Sequence, residues 1–276
     1  MTQSKKIRSA GVAGMFYPGD PMMLERELSL LLEAAPLLEL PRPVKSLIVP
    51  HAGYVYSGGV SARAYRQIFD APIKRVVVIV PSHKDAFAFN SVFNGDAYRT
   101  PLGDVPVDKK AAAALAEAHP DIQLSDLGHS SSEHSLEVQL PFLQWILGNF
   151  QLVPVSMGEQ TYEQSVILAN AFTTVIDTSH TLFVASSDLS HFHSDARARV
   201  LDQVAQTDIE TFDEEKLWQD IAEGRTEMCG YGPVITVMKT ARKLGAETSR
   251  VILYRNSGDI TGERNEVVGY LSAVIY

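Results

Sequence analysis

The sequence predicts an α/β fold of three layers, a central and mostly parallel sheet with helices on both faces. Three observations carry that expectation. Short apolar runs at residues 47–49, 75–80, 151–157 and 181–187 alternate with segments of helical periodicity, the order that builds parallel sheets. The first two runs end at Pro50 and Pro81, where a ladder donor is missing and a strand should stop. Residues 86–108 read as an antiparallel element added to that sheet, and runs at 250–254 and 267–276 close the chain as strands. No composition break divides the chain, so one domain over residues 1–276 is expected.

Taken in order, residues 13–20 are an irregular loop. Asp20 then caps a helix over 21–34, with Pro21 preset at its first position and Leu24, Leu28, Leu31 and Leu32 along one face. Residues 36–43 are a short connector. After the run 47–49, Gly53, Gly58 and Gly59 let the backbone turn closely, and Ser57 is the expected cap of a helix through Ala62, Tyr65 and Ile68. Asn94-Gly95 between extended runs signals a hairpin. A helix should follow from Lys109 to about Ala118. Ser131 or Ser132 can cap the next one, buried along Leu136, Leu140, Leu143 and Leu147 and kinked at Pro141. Helices over 159–176, 195–212 and 214–223 separate the later strands. The loop 229–233 opens a last helix, which Gly245 stops.

Charge and composition exclude several classes. A net charge of −9 argues against non-specific nucleic-acid binding, which relies on basic surface. A single cysteine, Cys229, rules out an internal disulfide and suggests a reducing compartment. The charged start lacks the apolar run of a secretory signal, and no apolar stretch approaches the ~20 residues of a membrane span. A soluble cytoplasmic chain is expected, with neither nucleic acid nor membrane among its partners.

In such a sheet, ligands bind beyond the carboxyl ends of the strands, and the reactive side chains fall there. His51 and His83 follow the first two strands, expected to be neighbours, and Asp188, His191 and His193 follow the fourth. Cys229 lies just before a helix start, whose dipole should lower the thiol pKa and favour the metal-binding thiolate. Singly, each has an ordinary reading: a hydrogen-bonded loop histidine, a small buried cysteine, a helix-capping aspartate, a surface histidine. Their convergence points to a metal site. Glu133 and Glu137, one turn apart, read as complements of a helix N-terminus, with His134 solvated beside them.

The segments 50–58 (PHAGYVYSG), 81–83 (PSH), 98–103 (YRTPLG), 133–142 (EHSLEVQLPF), 186–191 (SSDLSH) and 229–233 (CGYGP) together resemble the Memo-like family, whose microbial members are also called AmmeMemoRadiSam system protein B. The resemblance runs from Gly11 to the C-terminal residues. It implies a fold like that of the class III extradiol ring-cleaving dioxygenases, which hold non-haem Fe(II) with two histidines and a glutamate and use a further histidine as acid/base. By position, it implies that His51 and His83 are metal ligands and that Cys229 is the third, where the ring-cleaving enzymes have glutamate. Asp188 and His191 match the pair that lines the pocket, His191 as the acid/base; His193 lies outside the motif. The resemblance also implies a mononuclear iron or copper ion with a redox role, and association with an AMMECR-type protein and a radical-SAM protein.

A thiolate is softer than a carboxylate, shifts preference towards copper or zinc, and is itself oxidisable. Ring cleavage is therefore not carried over. The leading expectation is a metal-binding protein with redox or oxygen-linked chemistry on a small molecule or peptide. One alternative is a non-catalytic module gripping a peptide or anion with the Gly58-Gly59 helix start, Tyr54, Tyr56 and the histidines. Another is a zinc hydrolase using two histidines, a cysteine and a water.

Overall fold

Alternation of buried side chains along the inner strands sets the architecture. The structure, a computed structural model, describes residues 5–276. Its regular elements are β1 (Ile7–Arg8), α1 (Pro21–Glu33), β2 (Ser46–Val49), α2 (Tyr54–Tyr65), β3 (Arg75–Pro81), β4 (Asn90–Phe93), β5 (Ala97–Thr100), β6 (Gly103–Pro106), α3 (Lys109–Ala118), β7 (Ile122–Ser125), α4 (Leu140–Leu147), β8 (Gln151–Met157), α5 (Tyr162–Val175), β9 (Thr181–Ser186), β10 (His191–His193), α6 (Asp195–Glu210), α7 (Glu214–Ala222), α8 (Tyr231–Lys243), β11 (Ser249–Asn256), α9 (Gly258–Thr261) and β12 (Val267–Ile275).

Along β3, Val76, Val78 and Val80 enter one core beneath α1, α2 and α4, while Val77 and Ile79 enter the other beneath α5 and α8. On β9, Leu182 and Val184 face the first core, Phe183 and Ala185 the second. Both faces are thus covered, and a fully buried aliphatic side chain of this kind contributes about 1.5–3 kcal/mol. This is the helix–sheet–helix arrangement expected.

The main sheet runs β10-β12-β2-β9-β3-β8-β4-β7, with β11 against β12. Its centre, β2-β9-β3-β8, is parallel. β12 is antiparallel to β2, and β4 is antiparallel to β8. The strands leading to His51 and His83 are therefore not neighbours: β9 lies between them. That insertion brings Asp188 between the two histidine loops.

Local signals misled in three places. Asn94-Gly95 does not close a hairpin. It links β4 of the main sheet to β5 of a small sheet, β1-β5-β6, whose own hairpin joins β5 to β6. Ser57 does not cap α2, which starts four residues earlier from Gly53. Instead, the Ser57 hydroxyl donates to the Ala52 carbonyl at 3.0 Å. Pro141 does not kink a long helix either. Turns and a 3₁₀ segment (Glu137–Gln139) precede α4, and Pro141 sits in its first turn, where a missing N–H costs nothing. Among the described residues, no helix is long and apolar enough to cross a membrane.

Candidate metal centre

The register Val49↔Ser186 between β2 and β9 places His51 and Asp188 side by side, each two residues beyond the pair. The His51 backbone N–H donates to Asp188 Oδ1 at 2.7 Å. Ser186 Oγ, 2.9 Å from His51 Nδ1, donates its own proton to the Ser135 carbonyl at 2.7 Å. The hydroxyl must therefore accept from Nδ1–H, which leaves the Nε2 lone pair of His51 aimed elsewhere. It faces Cys229 Sγ at 3.2 Å. Burial first, then the neighbouring His134, His83 and His191, holds the His51 pKa well below the ordinary histidine value. The ring is neutral and able to ligate.

His83 is oriented the same way from the end of β3. Its Nδ1 lies 3.0 Å from Glu133 Oε1, and its backbone N–H donates to Oε2 at 2.6 Å. The carboxylate makes Nδ1 the protonated nitrogen and leaves Nε2 free to ligate a metal. The rings of His51 and His83 meet edge-on, 5.1 Å between centroids.

Cys229 arrives from the turn before α8. Its Sγ accepts the Asp188 backbone N–H at 3.2 Å. Gly230 is required here, because a Cβ would stand 2.3 Å from the Ser186 carbonyl oxygen. The expected lowering of the thiol pKa by the helix start is not found: burial, then the charge of Asp188, pushes it up. Desolvation outweighs the dipole, and a cation must take the proton's place for the thiolate to form.

The donor set fits a transition metal. The ligand atoms of His51, His83 and Cys229 all lie within 4.8 Å of one another. Metal–nitrogen and metal–sulfur bonds of about 2.0–2.3 Å put tetrahedral donors roughly 3.5 Å apart, close to the His51–Cys229 spacing. Three donors leave a fourth position open.

A family model described as Memo-like protein matches residues 8–274. The chain belongs to the Memo-like family. A MEMO1 family protein of Methanobrevibacter smithii is 38% identical over 97% of this chain and 99% of its own length. Those of Sulfolobus acidocaldarius and Nitrosopumilus maritimus are 35% and 33% identical, each over 96% of this chain and 98% of their own. An uncharacterized protein of Escherichia coli K12 shares the fold, with a TM-score of 0.53 at 12% identity, over 84% of this chain and 100% of that one.

In this Memo-like chain Asp188 and His191 are three residues apart, a spacing that would put them on one face, with Asp188 orienting His191, if the turn between them were helical. The link between them is extended, not helical. Leu189 N–H donates to the Gly269 carbonyl at 2.8 Å, Gly269 N–H to the Ser190 carbonyl at 3.0 Å, and Ser190 N–H to Asp202 Oδ1 at 3.0 Å. Asp188 thus serves the His51 loop instead of orienting His191. Burial pushes Asp188 up to about 7, against the His51 N–H that stabilises its charge. His191, at the start of β10, is lowered by burial and is half-buried. His193 pairs with Glu227 at 2.9 Å, outside the centre.

Glu133 and His134 are the residues that sequence reasoning passed over. Glu133 is 2% exposed, not a solvated helix-end charge. Burial raises its pKa, but the bonds from the His83 ring and backbone outweigh that and hold it at about 2. His134 packs against His51, His83 and Phe16, with centroids 5.3, 5.0 and 4.8 Å away. Burial lowers its pKa to about 4. The available signal was the Glu-His pair itself, which spacing alone cannot tell from a helix start.

His83, Glu133 and His134 form a second group of potential donors within 4.8 Å. Glu133 Oε1, however, already takes His83 Nδ1, the backbone N–H groups of His134 and Ser135, and the Ser135 hydroxyl. Few lone pairs remain on Oε1 for a cation, so Glu133 is better suited to supporting His83, and the first group is the stronger candidate for a metal site.

Proposed function

We propose that this Memo-like protein binds one iron or copper ion through His51 Nε2, His83 Nε2 and Cys229 Sγ, and uses it for redox or oxygen-linked chemistry in the cytoplasm on a small molecule or peptide. The observation that carries the reading is the commitment of the second nitrogen of each ring, to Ser186 in one case and Glu133 in the other. Two bare ring nitrogens are thereby turned inward beside a thiol. When bound, iron or copper held by two imidazoles and a thiolate supplies one-electron chemistry.

The chain's own residues do the rest. In this reading Asp188 fixes the His51 loop, Glu133 fixes His83, and His191 moves a proton in the pocket. Association with an AMMECR-type and a radical-SAM protein belongs to the same reading, rests on the family resemblance, and is tested by copurification.

Metal analysis of untagged protein purified without oxygen tests the centre. Iron or copper near one per chain supports the reading. Zinc instead favours the hydrolase, and protein that stays metal-free on loading favours a binding module. His191→Ala should retain the metal while losing ligand binding or turnover; loss of the metal would make His191 a ligand.

A further inference from the structure

A second cavity, of about 430 Å³, lies between α1, α2, β11 and α9. Its volume is that of a small-molecule site. Leu30, Val55 and Leu253 give it an apolar lining, and the side chains of Arg63 and Arg255 border it. Neither arginine is in an ion pair among the described residues. Glu27 also lines the cavity, and burial raises its pKa. Two guanidinium groups thus outnumber the single carboxylate at this cavity.

Gly59 is the second observation. It stands inside α2, one turn after Val55 and one turn before Arg63, where glycine weakens a helix relative to alanine. No contact explains it, since a Cβ there would meet nothing within 4 Å. What its absence provides is an open floor to the cavity.

We propose that this cavity binds a small organic anion with a compact apolar body, the body lying over Gly59 and the anionic group held by Arg63 and Arg255. Planar guanidinium groups suit carboxylate, sulfonate and phosphate oxygens, and the apolar walls exclude a bare inorganic ion as the natural fit.

The test uses the full chain with two probes, 8-anilinonaphthalene-1-sulfonate and its uncharged counterpart N-phenyl-1-naphthylamine, followed by fluorescence and equilibrium dialysis. One sulfonate probe should bind per chain. Replacing both arginines (Arg63→Gln with Arg255→Gln) should weaken the sulfonate at least about tenfold and leave the neutral amine unchanged. Gly59→Leu should abolish binding of both. Gly59→Ala, which should raise the melting temperature, should still weaken both and so separates blockage from misfolding. Sulfonate binding that survives in a folded Gly59→Leu protein, or arginine replacement that affects the two probes equally, would overturn the proposal.

Discussion

Glu133 holds His83 at two points, taking the ring Nδ1–H at 3.0 Å and the backbone N–H at 2.6 Å. One carboxylate thus sets both the place of the residue and the nitrogen it turns inward. Glu133→Gln preserves the shape but puts an amide donor where two acceptors are needed. Affinity for the metal should fall about 10–100-fold, measured by competition with a chelator. Unchanged affinity would show that His83 is oriented without Glu133.

His51, His83 and Cys229 should be needed together. Alanine at any of the three should remove near-stoichiometric metal and leave the far-ultraviolet circular dichroism intact. Full metal occupancy in all three variants would refute the centre. Because the buried His51 ring bonds to Ser186, whose hydroxyl keeps the Gln139 Nε2 donor at 2.9 Å, its alanine variant should also lose roughly 0.5–1.5 kcal/mol of stability for that one bond.

On the proposed ligand set, the thiol should set the metal preference. With two histidines and a thiolate the centre should favour Cu(I), and Cys229→Glu, giving two histidines and a carboxylate, should shift preference towards Fe(II). Competitive affinities for the two ions are the readout. The same ratio in both proteins would put Cys229 outside the ligand set.

Away from the centre, Asp208 should govern part of the pH dependence of stability. Asp220 holds Lys216 and Arg225, so its buried neighbour Asp208 keeps its proton, pushed up to about 7 by burial and then by Asp220. Its folded-state pKa lies above the ordinary 3.8, so its contribution is full below about pH 4 and is lost as pH rises through about 7. Asp208→Asn should flatten that decline, recovering ~1 kcal/mol at about pH 8 after allowance for solvent screening. Denaturant titrations of both proteins at about pH 5 and pH 8 check it; parallel declines would exclude Asp208.

Residues at strand ends were legible because proline and apolar runs mark where a parallel sheet stops, and a sheet aligns those stops on one edge. His51 and His83 follow from that, whereas Cys229 is picked out by its place before a helix start, and as third ligand only by the family resemblance. Glu133 was not legible, because its partner is 50 positions away and its local surroundings imitate a helix start. Asn94-Gly95 shows the same limit from the other side. Turn chemistry specifies that the chain bends there, and the packing of Gly95 against the Phe93 ring, where a Cβ would sit 2.2 Å from a ring carbon, specifies how tightly. Neither says which sheet receives the next strand. The Asp188–His191 link was misread for a related reason: its extended form is set by β12, far along the chain.

His51 and Cys229 are 178 positions apart. If the proposed centre holds, no early fragment of the chain has the full ligand set, and the ion would not guide the first steps of assembly. Pairings among β2, β3 and β9 would then form without it, and long connections between parallel strands tend to slow such pairing. Loading then comes last, and an ion that binds only the finished fold adds to its stability by mass action without hastening its formation. Cells short of the metal would accumulate a folded apoprotein, not an unfolded chain.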